Sequence, residues 1–151
     1  MLGSILSESR SCRMTDKISV SSRSQNMAAI RSEDTKPEIL VRRLAHRLGF
    51  RFRLHRKDLP GKPDLVFVAR RKVIFVHGCF WHQHPKVSCL DARHPKSNVT
   101  YWSPKLDRNV ARDLKNKRTL EQQGWKVLVV WDCETKDAGR LAVRLKKLLE
   151  V

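Results

Sequence analysis

No apolar run in this chain approaches the roughly 18 residues that a bilayer-spanning helix needs, and the opening MLGSILSESRSCRM holds only a short, broken apolar stretch. Neither a membrane helix nor a secretory signal is therefore expected. Acidic residues are scarce: 15 Asp and Glu stand against 32 Lys and Arg, a formal net charge of +17. Such an imbalance favours a polyanionic partner. Cysteines are few, at 12, 79, 89 and 133, and without a secretory context a metal site or free thiols fit them better than disulfides. No internal repeat is visible. What is present is a 40% hydrophobic content with four Trp and five Phe, enough for a folded basic protein rather than a disordered tail. A length of 151 residues predicts one domain with one sizeable core.

Residues 1–24 are rich in Ser and Arg without sustained periodicity and read as a flexible basic arm, with Met14 an alternative start. Residues 25–151 are expected to form the single domain. Thr35-Lys-Pro-Glu38 has the spacing of a capping box with Pro in the first turn, so a helix should run to about Leu48. Leu40, Leu44 and Leu48 with Val41 and Ala45 make its apolar stripe, Arg42, Arg43 and Arg47 its outer face, and Gly49 its end. Strands are predicted at about 50–55, 64–69 and 72–77, with Arg70 and Arg71 at a tight hairpin turn. A basic helix should span about 104–123, with Leu106, Val110, Leu114 and Leu120 facing inward and Gly124 stopping it. The short apolar run 125–131 suits a parallel strand covered on both faces. A last helix is expected at about 137–149. This order predicts an α/β layered arrangement around a central mixed sheet.

Two constellations carry chemistry. Cys79, His84 and Cys89 lie at five-residue intervals in one loop, and Cys133 ends a distant strand; three thiolates and an imidazole suit a closed tetrahedral zinc site. Ordinary buried or free thiols are the alternative, and His82, His94 and Asp91 compete for the histidine's place. The second is Gly61-Lys-Pro-Asp64 followed by Val73-Ile-Phe-Val-His77, a carboxylate opening one hairpin strand and a polar group ending the next. Nucleases of the PD-(D/E)xK type hold a magnesium ion in this way. Here Phe75-Val76-His77 stands where an acidic-x-Lys triplet is expected, a departure from that pattern. His77, His82 and His84 cluster beside the carboxylate, whereas His46 and His55 have no such company and receive no role. Trp125 and Trp131 bracket a buried strand and read as core.

The segments VHGCFWH (76–82), SQNMAAIRSEDTKPE (24–38), LPGKPD (59–64), NVARD (109–113) and GWKVLVVWDC (124–133) together resemble the very short patch repair (Vsr) endonuclease family, over about residues 14–134. The resemblance implies a restriction-endonuclease-like three-layer fold with a structural zinc site, and an enzyme that nicks one DNA strand beside the T of a T:G mismatch left by deamination of 5-methylcytosine. It implies that Asp64 binds magnesium (Mg2+) with the backbone carbonyl of Val76, that His82 activates or orients the attacking water, and that His77 assists at the scissile phosphate. Glu38 would hydrogen-bond metal-bound water, although its place in the capping box already explains it. Cys79, His84, Cys89 and Cys133 match the zinc (Zn2+) ligands, with looser spacing before Cys89.

Phe80 and Trp81 would form an intercalating wedge, met by Met27 from the other side; burial in the core is the competing reading. Unstacking costs least at a mispair, so a wedge favours mismatched DNA. The implied partner is double-stranded DNA with a T:G mismatch, with mismatch-repair proteins as further candidates. The implied setting is the bacterial cytoplasm, and the expected state a monomer. A zinc-stabilised DNA-binding module without chemistry is the principal alternative, and an RNA-binding protein another. Both leave Asp64 unexplained, because a carboxylate facing phosphates repels them unless a cation intervenes.

Overall fold

The computed structural model describes residues 33–151. The arm expected at 1–24, Cys12 and Met27 lie outside the described residues.

Helix α1 spans Lys36–Arg47. Thr35 caps it, its hydroxyl accepting the Glu38 N–H at 3.4 Å, with Pro37 in the first turn. The capping box does not close as expected. Asp34 adopts φ +56° and turns its own N–H onto Glu38 Oε2 at 2.9 Å, displacing the backbone group of Thr35. At the far end Gly49 (φ +89°) donates to the His46 carbonyl and Phe50 to that of Ala45, a Schellman closure that requires a left-handed residue at position 49. Val41, Leu44 and Ala45 are buried, and Leu40 and Leu48 flank them. Arg42 departs from its expected outer face: its side chain is 16% exposed and turned onto Glu38.

Four strands form a mixed sheet in the order β1-β2-β3-β4. β1 (Arg53–Leu54) pairs antiparallel with β2 (Leu65–Phe67), and β2 with β3 (Lys72–His77). The first two strands are shorter than the sequence predicts. Phe50 is used in closing α1, and residues 68–70 curl into a 3-10 turn that Arg71 completes at φ +53°. β4 (Lys126–Trp131) runs parallel to β3, as expected. Its two faces pack against the two cores, Leu128 and Val130 on one side and Val127 and Val129 on the other, but it lies at the sheet edge and only Val130 is fully buried.

The parallel connection is made by α2, Val99–Gln122, which begins one turn before the predicted start at Pro104. Near the helix start that proline forfeits a single bond, to the Thr100 carbonyl. Gly124 (φ +84°) and Trp125 close the helix with the pattern seen at α1, bonding Glu121 and Leu120. Leu106 and Leu120 are buried as expected, but Leu114 is 50% exposed. The less exposed stripe is instead Trp102, Leu106, Asn109, Asp113, Asn116 and Leu120, spaced 4-3-4-3-4 as one helix face requires. Its polar middle is what periodicity of apolar residues could not register.

Helix α3 (Ala138–Glu150) is capped by Asp137 and buries Leu141, Leu145 and Leu149. Together with α1 it covers Leu65, Phe67, Ile74 and Val130 on one sheet face. On the other, Val66, Val73 and Phe75 pack with Leu120 of α2 and Trp125. The sheet is therefore sandwiched between helices, and the ends of β3 and β4 emerge together where His77 pairs with Trp131.

Candidate active site and metal cluster

β3 delivers His77 on the same face as Phe75, its ring 5.6 Å from that of Phe75. The chain then turns tightly: His82 N–H bonds the Gly78 carbonyl at 3.1 Å and His84 N–H that of Cys79 at 3.0 Å. Gly78 lets the turn pack closely, since a Cβ there would lie 3.3 Å from Trp81 Cδ1, a tight contact. This turn places three histidines and a cysteine at one strand end.

Cys79, His84, Cys89 and Cys133 converge, each offering one ligand atom within 4.8 Å of the others. His84 Nδ1 lies 3.7 Å from Cys79 Sγ and 3.4 Å from Cys133 Sγ. These separations suit the edges of a tetrahedron with bonds of about 2.0–2.3 Å to its centre. Burial pushes the Cys79 thiol up to about 12 and raises that of Cys133, as expected for ligands that require a cation to stay ionised. Trp131 stacks on His84, centroids 4.4 Å apart and planes at 15°. It is half-buried and walls the cluster, whereas Trp125 is core as expected. Of the competing ligands, Asp91 is exposed and pairs with Lys136 at 2.7 Å, His94 is exposed, and His82 belongs to a different group.

That group is His77, His82 and Asp113. The two imidazoles stack with centroids 3.9 Å apart and planes at 5°, and His82 Nδ1 lies 2.5 Å from Asp113 Oδ2. Burial, reinforced by the charge of His82, lowers His77 to about 4, so its ring is neutral near pH 7. Asn109, one turn before Asp113, donates to the Trp81 carbonyl at 3.1 Å and ties the turn to α2.

Asp64 stands across the hairpin. Its Oδ2 accepts the Val76 N–H at 2.7 Å, so the backbone next to His77 is bonded to this carboxylate. Burial raises Asp64 to about 6, the negative Glu38 raising it further against the Val76 N–H. His55 lies between the two acids, its Nδ1 3.8 Å from Asp64 Oδ1 and its Nε2 3.9 Å from Glu38 Oε2. Asp64 and His77 are thus joined through the β3 backbone, each with its own set of partners.

Phe80 and Trp81 are half-buried, not core, and meet the ring of Trp102 at 5.4 and 5.9 Å. Tyr101 extends this ledge, and Lys105 Nζ lies 5.5–5.6 Å from the rings of Trp81, Tyr101 and Trp102. Sequence alone assigns no role to Asp113, Asn109 or Trp102, although Asn109 and Asp113 bound the NVARD motif and all three share one spacing on α2; His55, given no role there, sits between two acids.

The described chain is a basic mixed α/β protein that gathers a Cys/His cluster able to hold a metal ion, a histidine–carboxylate pair and a buried acid around one hairpin. The family model for DNA mismatch endonuclease Vsr matches residues 15–88. The chain is 52% identical over 137 residues to the type II nicking enzyme V.XorIIP of Xanthomonas oryzae, covering 91% of this chain and 98% of that protein. It is 45% identical over 136 residues to the type II nicking enzyme V.NmeAIP of Neisseria meningitidis, covering 90% and 95%. With the DNA mismatch endonuclease Vsr of Escherichia coli it shares 38% identity over 128 residues, covering 85% and 80%. The chain belongs to the Vsr family of DNA mismatch endonucleases.

Proposed function

We propose that this chain is a magnesium-dependent endonuclease of restriction-endonuclease-like fold that nicks one strand of double-stranded DNA beside the T of a T:G mismatch. The observation that carries the reading is the His82–Asp113 contact at 2.5 Å, with the neutral ring of His77 stacked on His82. Asp113 holds the His82 Nδ1 proton and leaves Nε2 free to take a proton from an attacking water, the division of labour used in hydrolytic histidine–carboxylate pairs. His77 is uncharged and donates a hydrogen bond toward the scissile phosphate. Asn109 fixes the turn that carries both rings.

Asp64 and the Val76 carbonyl would hold magnesium, and Glu38 of α1 would hydrogen-bond metal-bound water. A buried carboxylate raised to about 6 beside a second acid fits such a cation, which restores its charge. When bound, magnesium supplies neutralisation of the phosphate charge and acidifies water. Cys79, His84, Cys89 and Cys133 fit zinc by donor type and spacing, and zinc would pin the histidine turn to the end of β4. Phe80 and Trp81, backed by Trp102, form the wedge that unstacks the mispair, and Met27, outside the described residues, is proposed to enter the DNA from the other side. The bacterial cytoplasm is the proposed setting and a monomer the proposed state, with mismatch-repair proteins as further partners.

A nicking assay on a labelled duplex with one T:G pair, against T:A, G:C and other mismatches, with and without magnesium, tests the reading. Cleavage of the T-containing strand only, only at T:G and only with magnesium is expected. Tight mismatch binding without any cleavage would make the chain a DNA-binding module instead.

A further inference from the structure

His55 occupies a strained position. It follows β1 directly, opposite Asp64, to whose carbonyl its N–H points at 3.4 Å, and it adopts φ +44°. A non-glycine residue held there costs on the order of 1 kcal/mol or more and persists only where its surroundings fix it. Here the side chain supplies the reason. Arg42 NH2 lies 2.8 Å from His55 Nε2, and a guanidinium has only donors, so Nε2 must accept and the ring proton sits on Nδ1. Nδ1 lies 3.8 Å from Asp64 Oδ1, the oxygen not engaged by the Val76 N–H, so the two are neighbours that a small shift on cation binding would bring into hydrogen-bond contact. Arg42 is itself anchored, with NH1 2.6 Å from Asp34 Oδ1 and NH2 3.2 Å from Glu38 Oε2. The side chains of Arg42 and His55 are only 16% and 15% exposed, so solvent competes weakly for these contacts.

We propose that His55 is a positioning residue: with its tautomer set by Arg42, it presents Nδ1–H to Asp64 Oδ1 and fixes the direction in which that oxygen meets a divalent cation. The inference rests on the reading of Asp64 as a cation-binding carboxylate. Donors behind a ligating group orient it and tune its affinity, and their loss costs about 10–100-fold in metal affinity. Arg42 also bonds Glu38, so one guanidinium touches both that acid and the histidine beside Asp64.

The test compares His55→Gln with His55→Met in the full-length, zinc-loaded chain. Both substitutes carry the same backbone penalty at φ +44° and similar length, but only glutamine keeps a donor. Manganese binding, read by the loss of free-ion paramagnetic signal, should be within about threefold of the unaltered protein for His55→Gln and about tenfold or more weaker for His55→Met. In an Asp64→Asn background the two should be indistinguishable. The magnesium concentration for half-maximal nicking should rise in parallel, with a smaller change in the rate at saturation. Equal manganese affinity in the two variants, while Asp64→Asn abolishes binding, overturns the inference alone. Retention of full binding by Asp64→Asn, or no binding by the unaltered chain, overturns the cation reading and the inference with it.

Discussion

His77 and His82 lie ring on ring, 3.9 Å between centroids and 5° between planes, although one ends a strand and the other closes the turn after it. Two positive charges at that separation would repel, so the pair favours at most one positive charge, and burial keeps His77 neutral. Asp113 contacts His82 and not its neighbour, which makes His82 the ring suited to exchange a proton.

Asp113→Asn should therefore lower the nicking rate by about 10²-fold or more, the usual scale of general acid–base assistance, and leave affinity for the mismatched duplex within about threefold. Single-turnover rates at saturating protein check this. An unchanged rate would detach the histidine–carboxylate pair from the chemistry.

Asp64 and His77 make opposite contributions to stability against pH. The folded value of Asp64, about 6, lies above its ordinary 3.8; the protonated form is favoured in the folded state, and that advantage, full below about pH 4, is lost as pH rises to 6. At pH 7 the ionised carboxylate is then a cost on the order of 3 kcal/mol. In magnesium-free buffer Asp64→Asn should raise the melting temperature at pH 7, and the gain should shrink toward pH 4. His77, lowered from 6.5 to about 4, contributes stability above pH 6.5 that is lost as pH falls to 4. His77→Asn should flatten that acid-side loss. A gain for Asp64→Asn that is independent of pH would show that burial of its charge is not the cause.

Replacing Cys79 or Cys133 by Ser should release about one equivalent of zinc per chain and lower the melting temperature sharply, because the cluster joins the histidine turn to the end of β4. Cys12→Ser should retain both metal and stability. Metal analysis together with thermal unfolding decides the point, and a fully stable, metal-free Cys79→Ser protein would remove the site.

Trp81→Ala should reduce the T:G over T:A binding ratio by roughly tenfold, taking stacking at about 1–3 kcal/mol per base. Truncating Arg108 or Arg112, both exposed on α2, should instead weaken the two duplexes equally and reduce the salt dependence of binding. Paired titrations at fixed salt separate these effects. An unchanged ratio for the Phe80→Ala, Trp81→Ala double variant would assign specificity elsewhere.

Sequence alone determined the order of the elements, because caps, glycine stops and apolar periodicity are local. Thr35, Gly49 and Gly124 mark helix ends that the fold retains. It also singled out Asp64, the histidine turn and the cysteines, since these residue types at those spacings are chemically distinctive, and the motifs between them pointed to the family. Tertiary structure decided the remainder. How deeply β4 is buried depends on its place in the sheet, and at the edge only Val130 is fully enclosed. Arg42 reads as an exposed residue by helical phase, yet Glu38 and His55 draw it inward. Asp113 is 31 residues from His82, and His55 is 13 from Arg42. Contacts across such separations are set by how α2 and α1 lie against the sheet, and no local pattern encodes them.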